Sequence, residues 1–176
     1  MPSATVVIGA DTMIIAPPED IEATAANSIL GKPRDEADAR AILSRLSGKT
    51  HHVVTGVSMI VRAHTREQSL VDKFSVLTTL GGASGEVFVD TVEDAEGTAL
   101  KVNFYSKTMV QFEDLDIETI NEYVASGEPM DKAGAYGIQA LGGSFVRAIE
   151  GCYWNVVGFP MNQFSRIFKK LVELMD

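Results

Sequence analysis

Glu128, Asp131, Lys132 and Gln139 lie in one short stretch, Ser126 to Gly143, together with five glycines and no long apolar run. The two carboxylates can take Mg²⁺, which prefers one or two carboxylates completed by water and phosphate oxygens. Lys132 adds an ammonium to the stretch, and the Gln139 amide both donates and accepts, enough to read a pyrimidine edge. Gly127 closes the preceding helix and Pro129 stops it from resuming. The glycines let the backbone take positive φ or approach a ligand closely. A polar loop of this kind on an apolar scaffold is a natural place for chemistry.

Two further groups stand apart from that loop. Asp11 and Thr12 follow the β-branched run Ala4 to Gly9, where a strand end would present a carboxylate to a metal or a water. Lys32 sits between Gly31 and Pro33, which hold its backbone in a defined shape. Each residue also has a plainer reading. Asp11 is equally a turn aspartate bonding a backbone N–H, Thr12 a β-former in a strand, and Lys32 a solvated charge. Asp131 and Glu128 are equally ion-pair partners of Lys132 or a neighbouring lysine.

The run from Gly127 to Gln139, Gly-Glu-Pro-Met-Asp-Lys-Ala-Gly-Ala-Tyr-Gly-Ile-Gln, resembles the signature of the Maf family of nucleotide pyrophosphatases. Ile8 to Thr12, Gly31-Lys32-Pro33, Leu43 to Gly48 and Asn155 to Pro160 resemble other family motifs, in the same order. The resemblance implies a Maf/inosine-triphosphatase-like fold and hydrolysis of a nucleoside triphosphate to the monophosphate and pyrophosphate. It implies that Asp11 is the proton acceptor activating water, that Thr12, Lys32, Asp131, Lys132 and Gln139 bind substrate, and that Asp11 and Asp131 hold a divalent cation, Mg²⁺ or Mn²⁺. The Tyr136-Gly137-Ile138-Gln139 form is similar to the branch acting on dTTP and UTP rather than the methylated-guanine branch. A homodimer is also implied.

The family opens with a Ser-x-Ser-Pro-Arg-Arg motif that occurs nowhere in this chain. The resemblance therefore covers the part downstream of that opening, and the chain reads as N-terminally truncated. A catalytically impaired remnant, serving as a nucleotide-binding or interaction module, is the alternative function. A different house-cleaning nucleotide hydrolase is a third.

Composition bounds these readings. A net charge of −9 argues against a nucleic-acid-binding surface, which needs clustered Lys and Arg, but leaves room for a small nucleotide. The single cysteine, Cys152, excludes an internal disulfide and fits a reducing compartment; it reads as a small buried apolar residue. Asp11 interrupts the best apolar stretch, so no membrane span is expected, and no secretory signal is legible. A cytoplasmic protein is the expectation. His51 and His52 point to opposite faces of a strand and make a poor metal pair. Gly81 to Gly85 lacks the ending of a phosphate-binding P-loop.

The elements that must position these groups follow from periodicity. One α/β domain over 1–176 is expected, with a mixed, elongated sheet flanked by helices and a local insertion over 63–100. Ala4 to Gly9 reads as a buried strand that Met13 to Ala16 extends, and Glu19 to Asn27 as an acidic helix or loop. Asp35 caps a helix to Ser47 whose apolar face is Ala39, Ile42, Leu43 and Leu46. His52 to Val61, Val71 to Leu80, Glu86 to Val92, Val102 to Phe112, Ser144 to Ile149 and Cys152 to Val157 read as strands. Asp116 caps a helix with Ile117, Ile120, Tyr123 and Val124 as its apolar face. A last helix begins at Pro160. Tyr136 reads as packing, and Arg34 and Arg147 as surface charges.

Overall fold

The computed structural model describes residues 5–17, 28–62, 72, 74–82, 85–94 and 97–175. Its elements are β1 (Thr5–Ile15), β2 (Ile29–Leu30), α1 (Glu36–Leu46), β3 (Thr50–Arg62), a 3₁₀ helix (Ser75–Leu80), β4 (Val87–Asp94), β5 (Gly97–Phe112), α2 (Ile117–Ala125), β6 (Val146–Glu150), α3 (Tyr153–Val157) and α4 (Met161–Met175). Three short 3₁₀ turns, Glu128–Asp131, Ala133–Ala135 and Leu141–Phe145, fill the space between α2 and β6. The sheet has six strands in the order β2-β1-β3-β5-β4, with β6 also beside β5. The β1–β2, β4–β5 and β5–β6 pairings are antiparallel, so no parallel component comes from them. The α/β class with helices flanking a sheet is the one expected.

The chain forms two compact units. The first takes the described residues of Met1–Asp11, Thr55–Ser106 and Pro160–Asp176. Val57, Met59 and Val61 of β3 and Val102 and Phe104 of β5 are buried there, with Ile167 and Leu171 of α4. The second comprises the described residues of Thr12–Val54 and Lys107–Phe159. Its core gathers Ile14, Leu43, Leu46, Val110, Phe112 and Tyr136.

Local chemistry explains the helices. Asp35 is extended and accepts a hydrogen bond from the Asp38 N–H at 2.8 Å, satisfying one orphan donor of α1. Ala39, Ile42, Leu43 and Leu46 are buried, as their spacing requires. Gly48, at φ +68°, ends the turn after it, and a Cβ there would lie 2.2 Å from Asp114 Oδ1. Asp116 caps α2 through the Thr119 N–H at 2.7 Å, and Ile120, Tyr123 and Val124 are buried. Ile117 is exposed instead of joining that face, because it occupies the first, outward-turned position of the helix.

Other expectations are corrected. The part of the expected strand at 75–80 is a 3₁₀ helix, in which the hydroxyls of Ser75, Thr78 and Thr79 each bond a carbonyl three residues back at 2.7 Å. Such local bonds compete with a sheet ladder. Cys152 to Val157 is not a strand; residues 153–157 form α3, directed by the tertiary bonds of Asn155 described below. β1 is not buried along Thr5 to Gly9: Val7 and Ile8 are exposed. Cys152 is half-buried rather than fully buried. The reading of Glu19 to Asn27 and part of the expected insertion lie outside the described residues. No helix among the described residues is long and apolar enough to cross a membrane.

Candidate active site

β1 does not end before Asp11. It runs on to Ile15, where Ile14 and Ile15 pair with Leu30 and Ile29 of β2. Asp11 therefore sits within the strand rather than at its end, with its side chain exposed. Thr12, its neighbour, is half-buried on the opposite face and donates its hydroxyl hydrogen to the Gly158 carbonyl at 3.3 Å. Gly158 closes α3 at φ +124°. That short helix is in turn set by Asn155, fully buried, whose amide donates to the Val53 carbonyl and to Thr108 Oγ1, both at 3.0 Å.

β2 delivers Gly31, Lys32 and Pro33. The Gly31 carbonyl accepts from the Gly134 N–H at 3.0 Å, stitching this segment to the glycine-rich loop. Gly134 has φ +70°, and a Cβ there would lie 2.5 Å from Ile14 Cγ1, so only glycine fits between loop and strand. Lys32 is exposed at the rim of a cleft of about 400 Å³ that runs along α1 and is also lined by Arg34, Asp38, Ile42 and Arg45. Arg34 is a surface charge held by Asp38, with contacts of 3.0 and 3.1 Å. Arg147 is likewise exposed and faces Glu113 at 3.7 Å.

The loop itself is built from both ends. Gly127, at φ +78°, turns the chain out of α2, and buried Pro129 starts a 3₁₀ turn that carries Asp131 and Lys132. These two form an ion pair on the surface. The hydrogen bond from the Lys132 ammonium holds the Asp131 carboxyl below its ordinary range against an opposing effect of desolvation, with the charge of Lys32 the weakest contribution. The Gly31–Gly134 hydrogen bond thus attaches the segment carrying Lys32 to the loop that carries the Asp131–Lys132 pair. Gln139 lies exposed in the turn farther along, where the Ala140 N–H bonds the Gly137 carbonyl at 3.4 Å.

Glu128 is a correction. It does not pair with Lys132: Tyr123 Oη donates to its Oε1 at 2.9 Å, the Gly142 N–H to the same oxygen at 3.1 Å, and the Leu141 N–H to Oε2 at 3.0 Å. Tyr123, mostly buried, has its phenol pushed up by burial and then by Glu128, so it stays a donor. Behind the loop Tyr136 is buried, packs edge-on against Phe112 with centroids 4.7 Å apart, and shares a 2.9 Å hydrogen bond with His51 Nε2. Burial, aided by the charge of His52, pushes the His51 imidazole down to about 4, so it is neutral at pH 7. Tyr123, His51 and Asn155 escape sequence reasoning as site supports. Tyr123 follows an apolar helical spacing that hides its hydroxyl's partner, and the other two lack any local signal.

Among the described residues no three His, Cys, Asp or Glu side chains converge on a metal position. A cage is not required for Mg²⁺, which keeps waters and takes one or two carboxylates plus phosphate oxygens. The exposed Asp131 carboxylate fits that donor role, while the Glu128 carboxylate already accepts three hydrogen bonds.

A family model described as "Maf-like protein" matches residues 1–171. The chain belongs to the Maf-like family. It is 42% identical over 166 residues to the "Probable bifunctional dTTP/UTP pyrophosphatase/methyltransferase protein" of Homo sapiens, covering 94% of this chain and 21% of that protein. It is 38% identical over 165 residues to the "dTTP/UTP pyrophosphatase" of Bacillus cereus (strain AH820), covering 94% of this chain and 63% of the relative. For the protein of the same name from Geobacillus sp. (strain WCH70) the identity is 39% over 165 residues, with 94% and 64% covered. This Maf-like chain thus spans less than two thirds of these relatives' lengths. Its glycine-rich loop, Asp11-Thr12 and Gly31-Lys32-Pro33 all fall within the matched region.

Proposed function

We propose that this Maf-like chain acts, as one domain, as a nucleoside triphosphate pyrophosphatase on dTTP, UTP or related modified pyrimidine nucleotides. The observation that carries the reading is the Asp131–Lys132 pair on a loop that displays Gln139, with the Lys32 segment hydrogen-bonded to that loop through Gly31 and Gly134. Two lysines and a carboxylate on hydrogen-bonded segments suit a polyphosphate and its cation, and the exposed amide suits a base edge. The names of the relatives point the same way. The remnant reading finds no support in them.

In the proposed reaction a water oxygen forms a bond to the α-phosphorus while the bond from that phosphorus to the bridging oxygen breaks. Asp11 accepts the water's proton, and pyrophosphate departs with the electron pair of the broken bond. Lys32 and Lys132 neutralise charge on the phosphates as it shifts toward the leaving group. Asp131 and, through the family resemblance, Asp11 supply hard oxygen donors for Mg²⁺ or Mn²⁺, which when bound offsets phosphate charge. Gln139 reads the base. Thr12 faces substrate only through its hydroxyl oxygen, since its hydrogen is committed to Gly158. A cytoplasmic location, consistent with a lone cysteine, and a homodimer belong to the same proposal.

Pyrophosphate release from UTP and dTTP with Mg²⁺ or Mn²⁺ tests it. The wild-type chain is expected to turn over both, and Asp11→Asn to lower kcat on the order of 10²- to 10⁴-fold. An Asp11→Asn variant as fast as wild type removes Asp11 from the chemistry; a folded wild type that releases no pyrophosphate overturns the activity.

A further inference from the structure

The Glu128 carboxylate joins residues far apart along the active-site loop. It lies at the loop's start, while two of its three donors, the Leu141 and Gly142 N–H groups, lie at the loop's end. The third, the Tyr123 hydroxyl, comes from α2, whose packing against Phe145 (centroids 4.8 Å apart) fixes it in the core. Between these anchor points the chain carries Lys132 and Gln139. Their separation is set from inside the loop as well. A Cβ on Gly137 would meet Lys132 Cε at 3.3 Å and Glu128 Oε1 at 3.7 Å, so the Lys132 stem runs over Gly137 beside the carboxylate. A Cβ on Gly142 would meet Tyr123 Oη at 2.6 Å, and one on Gly143 the Ile138 carbonyl oxygen at 2.4 Å. The turn bearing Gln139 is therefore wedged against the clamp with no room to slide.

We infer that Glu128 is a positioning residue for base selection: its carboxylate fixes the Gln139 turn relative to Lys132, so that only a base of matching edge meets the amide when the phosphates are seated. This rests on the proposed roles of Lys132 and Gln139. It differs from a metal-ligand role, in which the variant would change the Mg²⁺ requirement.

Charge and shape separate in the variants. Glu128→Gln keeps the volume, but whichever way the amide turns, its NH₂ opposes the Leu141 or the Gly142 N–H. Tyr123→Phe removes one donor and keeps the ring. The experiment measures kcat and KM for UTP and CTP, whose bases differ at the edge an amide reads, the Mg²⁺ concentration at half-maximal rate, and hydrogen exchange at the Leu141 and Gly142 amides. Glu128→Gln is expected to speed exchange at both amides at least tenfold and to lower the UTP:CTP ratio of kcat/KM about tenfold, mainly through KM for UTP. Its Mg²⁺ requirement stays as in wild type. Tyr123→Phe moves the ratio the same way by a smaller factor and stands in if Glu128→Gln does not fold. Faster exchange with an unchanged ratio overturns the inference, and so does activity restored by added Mg²⁺. A wild type inactive on both nucleotides overturns the proposed function instead, and protected Leu141 and Gly142 amides that open in Glu128→Gln would then still establish the clamp.

Discussion

Lowering the pH from 7 to 5 should cost this protein stability chiefly through one side chain, His51. In the folded chain burial holds its imidazole at about 4, against 6.5 in the unfolded chain. The folded state thus binds fewer protons than the unfolded state between those values. The contribution is fully present above 6.5 and is lost as the pH falls toward 4. Between pH 7 and pH 5 the loss comes to about 2 kcal/mol. Carboxylates do not blur this window. Those held below their ordinary range, among them Asp38 at about 2, lose their contribution only as the pH falls below the ordinary carboxylate value of 3.8. Urea unfolding at pH 7 and pH 5 reads the difference, with an expected fall in midpoint of roughly 1 M for a typical urea slope. His51→Gln is the control, since a glutamine can still reach the Tyr136 hydroxyl but does not titrate. His52 is present in both proteins and cancels. Equal falls in midpoint for wild type and His51→Gln would refute the reasoning.

Gly134→Ala should destabilise the second unit by about 2 kcal/mol or more, from a disfavoured positive φ and the clash with Ile14; thermal unfolding reads it. A Gly134→Ala chain as stable as wild type would mean that loop and strand separate at little cost. Lys132→Ala should raise KM for UTP and dTTP alike, on the order of tenfold, by removing one phosphate-neutralising charge. Steady-state kinetics should show its preference between bases unchanged, in contrast to Glu128→Gln.

The sequence by itself determined the parts whose causes are local. The caps of α1 and α2 are legible because an aspartate bonds a backbone N–H three residues on, at Asp35 and Asp116. The alternation of β3 and β5 is legible because a strand buries every second residue, as from His51 to Val61. The glycine-rich loop and its charged residues stand out by composition, and the family resemblance by the order of its motifs. Only the tertiary structure decided what those residues do. The stretch after Cys152 looks like a strand until Asn155 finds Val53 and Thr108 across the fold. Glu128 looks like an ion-pair partner of Lys132 until three donors arrive from α2 and the far end of its loop. The Lys32 segment meets the glycine-rich loop because the Gly31 carbonyl and the Gly134 N–H pair across the chain. The physical reason is the same in each case. A hydrogen bond or an ion pair depends on distance in space, and partners at separations as different as 5 and 102 residues follow no fixed spacing that would announce them in the sequence.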